Sequence, residues 1–124
     1  MPSLSQSPQV PAKYGKIDMN LPPDIHLEDI EEPWEIPHDV DVTRLCNELQ
    51  NELASGHELF GTSVVLLAKR IDRDDILISH NSGISVVHLT YSHQETAPFP
   101  ITRTFSGWND FVVSELTRDI ANWS

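Results

Sequence analysis

The sequence predicts an α+β fold: one helix, an antiparallel meander of three to four strands, and a C-terminal helix packed on one sheet face. Three observations predict it. Val42, Leu45, Cys46, Leu49 and Leu53 recur at spacings of three and four, as on one helical face. Between Thr62 and Ser92 the chain is rich in β-branched residues and broken by two short polar turns. From Trp108 to Trp123 helical spacing returns, in Trp108, Phe111, Val112, Leu116, Ile120 and Trp123.

Charge divides the chain before any element does. The 124 residues carry a net charge of −11, and residues 1–41 hold nine acidic and only two basic side chains. An apolar share of 39% implies that part of the molecule lies outside a single modest core. Residues 1–17 are rich in Ser, Pro and Gln, with too little apolar surface to offset the entropy of ordering, and are expected to form a disordered tail. Residues 18–41 differ: Leu21, Ile25, Leu27, Ile30, Trp34 and Ile36 are threaded among nine carboxylates and four prolines. Prolines at that density forbid a long helix and predict an acidic, extended arm. Such an arm either docks its Ile and Trp side chains on the domain or offers them to a partner.

The domain proper is expected over 42–124. Its first helix spans about 42–55, with Asp41 or Thr43 as N-cap and Gly56 supplying a left-handed C-cap. A strand follows over Thr62–Ile71, whose continuous run Val64, Val65, Leu66 and Leu67 suits a strand covered on both faces. Asp72–Asp75 form a solvated turn, Ile76–His80 a second strand, and Asn81-Ser82-Gly83 a second turn. Ile84–Ser92 is the central strand. Pro98 and Pro100 lack ladder donors, so the strand over Ile101–Phe105 belongs at an edge. Ser106 then caps a last helix of about 107–122, packed beside the first so that both cover one face of the sheet.

Function is less legible. The acidity opposes binding to a nucleic acid backbone or an anionic membrane, and its natural complement is a basic protein. Cys46 stands alone, which excludes an internal disulfide and suits a reducing compartment; its place on the apolar stripe predicts an inert thiol. The first residues lack a basic region followed by an apolar core, and no apolar run is long enough for a bilayer, so a cytoplasmic protein is expected. The histidines show no metal-ligand spacing, and glycine-rich phosphate loops and nucleophile elbows are missing, so neither metal nor cofactor is expected. His88 is expected within the sheet, bonded to Thr90 or Tyr91.

Two groups of candidate binding residues remain. Glu31, Glu32, Trp34 and Glu35 form an acidic patch with an aromatic anchor, suited to a basic partner. His88, Tyr91, His93 and Phe99 flank the proline-rich loop and line a pocket in the alternative reading, a small enzyme or ligand-binding domain. The oligomeric state is not encoded in any pattern found.

The runs Gly61–Ile71, Asp74–Leu77 and Val86–Ser92, the later Phe-Pro and the tryptophan-bearing last helix together resemble a group of small uncharacterised bacterial proteins. There the central motif reads Val-Val-His-Leu-Thr-Trp-Ser and the loop carries Trp-Pro, where this chain has Tyr91 and Phe99. The resemblance covers about residues 42–123 and leaves out the acidic leader. It implies the fold and brings no activity. With the small size and the acidity, it leads to the expectation of a non-enzymatic bacterial interaction protein, in its narrowest form an immunity-type inhibitor of a basic toxin or nuclease.

Overall fold

A computed structural model describes residues 22–92 and 99–123. The tail expected over 1–17, and His93, lie outside the described residues. Five antiparallel strands form one sheet in sequence order: β1 (Trp34–Glu35), β2 (Val65–Arg70), β3 (Asp75–His80), β4 (Gly83–His88) and β5 (Thr102–Phe105). Helix α1 (Asp39–Glu52) precedes β2, and helix α2 (Trp108–Trp123) closes the chain, with a π-helical turn over Val112–Leu116. Among the described residues no helix is long and apolar enough to cross a membrane.

The α+β meander is as expected, with one strand more, supplied by the acidic arm. The placing of the helices is not. They cover opposite faces of the sheet. Leu67, Leu77, Ile84 and Val86 pack with Trp108, Phe111 and Leu116 of α2, whereas Leu66, Ile76, Ile78 and Val87 pack with Leu45 and Leu49 of α1. Alternation along each strand therefore builds two cores, since neighbouring side chains point to opposite faces. The bulge in β2 matters here. Leu66 pairs with Ile78 but Ala68 with Leu77, so Leu67 and Ala68 both reach the α2 core. Beyond the bulge, Lys69 and Arg70 fall on opposite faces, and Arg70 reaches Asp119 of α2 at 3.0 Å.

Several boundaries move for local reasons. Helix α1 starts three residues earlier than the apolar stripe suggested, at Asp39 after His38, with Asp39 and Asp41 in its first turn where the helix dipole favours carboxylates. It ends at Leu53 without using Gly56. Asp75 is not in a solvated turn but in β3, nearly fully buried. The turn between β3 and β4 depends on Gly83: its φ is +137°, and a Cβ there would lie 2.2 Å from the carbonyl oxygen of Phe105. At the start of α2, Asp110 accepts hydrogen bonds from the Ser106 amide and hydroxyl, which holds its carboxyl below the ordinary range. Trp123, the last residue of the helical stripe read from the sequence, is 41% exposed.

Candidate functional site

The acidic arm is fastened to the domain by its own apolar and aromatic groups. Ile25, Leu27 and Ile30 pack against the α2 core, and a single turn of 3-10 helix spans Leu27–Asp29. Trp34 is 1% exposed, meets Phe111 edge-on at 5.8 Å, and pairs with Arg70 across the sheet, whose guanidinium sits 5.6 Å from the indole centroid. Each of the three tryptophans then donates its ring N–H to a carboxylate across this junction: Trp34 to Asp119 at 3.0 Å, Trp108 to Asp29 at 3.1 Å, and Trp123 to Glu32 at 3.2 Å. Asp24 adds a bond from the Trp108 amide at 3.3 Å. Two of these acceptors are arm carboxylates serving α2 indoles and one is the reverse. The arm's acidity is thus partly structural, because a buried indole N–H needs an acceptor.

Trp34 is accordingly no exposed anchor; its ring belongs to the core of its own domain. Glu35 is engaged with Lys69 at 2.8 Å. Glu31 and Glu32 remain exposed, and Glu28, its side chain 77% exposed, stands beside them in the sequence. Of the acidic group read from the sequence, the structure keeps Glu31 and Glu32 on the surface, turns Trp34 inward and pairs Glu35. Glu28 joins them because the 3-10 turn directs it outward, a feature that no sequence periodicity announces.

The histidines sort by tautomer. His57 Nδ1 accepts the Leu59 amide at 3.0 Å, so its Nε2 carries the proton and donates to the carbonyl of Pro100 at 2.9 Å. His80 Nδ1 accepts the Ser82 amide at 3.2 Å, and its Nε2–H therefore points at the Ser85 hydroxyl 2.7 Å away. A serine-histidine pair with the proton already on Nε2 is the wrong way round for activating the hydroxyl, and Ser85 is fully buried. Burial holds the His80 imidazole below its ordinary value. His88 is the opposite case. It donates Nδ1–H to Asp75 at 2.6 Å, not to Thr90 or Tyr91 as expected, and its ring is half-exposed. No hydroxyl or thiol nucleophile is seen on it among the described residues. Cys46 is on α1, and burial pushes its thiol up, which keeps it protonated. No group of three or more possible metal ligands occurs among the described residues.

The expected central strand stops at His88, and the reason is Glu52. This residue, 1% exposed on α1, accepts the Thr90 amide at 2.8 Å, the Thr90 hydroxyl at 3.1 Å and the Tyr91 amide at 2.7 Å. Those amides would otherwise serve a strand ladder. Tyr91 takes φ +57°, the one described non-glycine residue at positive φ. Burial pushes the Glu52 carboxyl up, but bonds from Glu48, Thr90 and Tyr91 outweigh it and hold it below the ordinary range. Tyr91 is half-exposed, with its hydroxyl 3.4 Å from Arg44 Nη1. Phe99 is also half-exposed. The pocket grouping read from the sequence therefore separates: Tyr91 borders a shallow cleft on the α1 side, whereas His88 turns with Asp75 towards the α2 side and does not line it.

No protein-family model, curated protein or solved structure matches the chain.

Proposed function

We propose that the protein is a non-enzymatic interaction module that binds a basic protein partner through the acidic surface of residues 24–35. In its narrowest form it is an immunity-type inhibitor, covering a basic toxin or nuclease. One observation carries this reading: the arm turns Trp34, Ile25 and Leu27 inward and is stitched to α2 by indole–carboxylate bonds, while Glu28, Glu31 and Glu32 stay at the surface. Carboxylates on a backbone already ordered lose little further entropy when a partner docks, so their field acts from a fixed position. The chemistry of the described side chains supports binding over catalysis. Ser85 is buried beside the wrong tautomer of His80, and among the described residues no nucleophile lies on the half-exposed His88.

The test is capture on the immobilised chain followed by kinetics on the purified partner. Elution with moderate salt, and loss of capture by an E28Q/E31Q/E32Q variant that folds normally, support the proposal. Capture that is unaffected by the three substitutions opposes it.

A further inference from the structure

Although the chain is strongly acidic, four of the six basic residues among those described, Arg44, Lys69, Arg70 and Arg73, line one cleft of about 110 Å³. It lies where the first half of α1 meets the ends of β2 and β3 and the Leu89–Tyr91 segment, with the buried side chains of Leu45, Ile76 and Leu89 beneath it. Arg70 is spoken for, bonded in a fork to Asp72 at 2.8 and 2.9 Å and to Asp119 on the other face. Arg44 and Arg73 are less fully engaged. Arg44 is half-exposed, with one contact to Asp41 at 3.1 Å and the long one to the Tyr91 hydroxyl. Arg73 is half-exposed and its nearest carboxylate, Asp72, lies at 3.8 Å, beyond hydrogen-bond length and already taken by Arg70. Lys69 is held by Glu35. The carboxylate of Asp75, which also borders the cleft, faces His88 instead. Asp74 is the remaining acidic side chain on the lining.

Tyr91 forms one wall, and the protein holds it there against its backbone preference. A fully buried carboxylate on α1 grips two successive amides so that an exposed aromatic residue adopts φ +57° with its hydroxyl turned to Arg44. Conformations of that kind persist where the surroundings over-determine them, and they concentrate at ligand clamps. We infer that this cleft binds a small oxyanion, a carboxylate or phosphate group, between Arg44 and Arg73, with the Tyr91 hydroxyl as a further donor. Guanidinium groups match such oxygens in pairs, and a concave site with an apolar floor strengthens their field locally whatever the net charge of the molecule. The cleft lies on the α1 side and is lined by none of Glu28, Glu31 and Glu32, meeting the acidic arm through the Lys69–Glu35 pair and Arg70 against Trp34.

Calorimetric and NMR titrations of the full chain with inorganic phosphate and, separately, with succinate test it, with sodium chloride at matched ionic strength as the control. Saturable binding is expected, with amide shifts centred on Leu89–Tyr91 and Arg44, and the tighter of the two probes identifies the oxyanion class. R44Q/R73Q should bind at least tenfold more weakly. Tyr91→Gly should fold at least as well, since glycine accepts the same φ, and should also bind more weakly. Shifts that chloride reproduces, or equal affinity in the wild type and both variants, would overturn the inference.

Discussion

Trp34 and Asp119 are 85 positions apart in the chain, yet the indole N–H of one donates to the carboxylate of the other at 3.0 Å. The same carboxylate receives Arg70, and Arg70 in turn lies against the Trp34 ring. This three-residue knot joins the acidic arm, the sheet and the last helix, and it makes the arm part of the fold.

Removing the ring should therefore cost stability first. Trp34→Ala leaves a cavity against Phe111 and takes the indole donor away from the Asp119 carboxylate, so a loss of about 3–5 kcal/mol is expected. Urea denaturation measures it. A loss under about 1 kcal/mol, the scale of a surface substitution, would mean that the arm is not docked.

Much of this architecture was legible in the sequence and some was hidden for definite reasons. The α1 stripe and the α2 stripe identified both helices, because burial on one helical face leaves a period near 3.6. The unbroken run Val64–Leu67 already spoke for a strand covered on both sides, which conflicts with two helices on one face; the run was the better guide. The π turn and the bulge in β2 leave no periodic trace, so which face takes Lys69 and which takes Arg70 could not be read. Glu52 was hidden for another reason. A lone glutamate near a helix end looks solvated, and only the fold brings Thr90 and Tyr91 to it.

Glu52→Ala should destabilise the protein by roughly 2–3 kcal/mol, because two backbone amides lose their acceptor together. The Tyr91 environment should change at the same time, visible as loss of its dispersed NMR signals. Wild-type stability with an unaltered Tyr91 would contradict the brace.

The pH dependence has a definite sign. Both Glu52 and His80 have folded pKa values below their ordinary ones. A lowered value means that the unfolded chain binds more protons, so each group's contribution is present above its unfolded pKa and lost as pH falls through the folded one. For His80 the loss begins below the ordinary imidazole value of about 6.5, and for Glu52 below about 4.3. Urea midpoints should thus decline in two stages on acidification, and His80→Gln should weaken the upper stage. A midpoint that rises between neutral and mildly acidic pH would contradict this.

Gly83→Ala should be among the most damaging small substitutions in the molecule. The added methyl meets the Phe105 carbonyl at 2.2 Å, in a backbone conformation that a side chain resists. A loss above roughly 2 kcal/mol is expected from clash and strain combined. Near-neutral behaviour in thermal melts would show that the β3–β4 turn and the neighbouring β5 are placed differently.

The most direct test concerns the acidic surface itself: the association rate with the captured partner, measured by stopped flow at low and high salt for the wild type and for E28Q/E31Q/E32Q. A preformed acidic face steers a basic partner, so the wild-type rate should fall about tenfold or more as salt rises, while dissociation changes little. The variant should start near that lower rate and respond weakly to salt. An association rate indifferent both to salt and to the three substitutions would contradict the account.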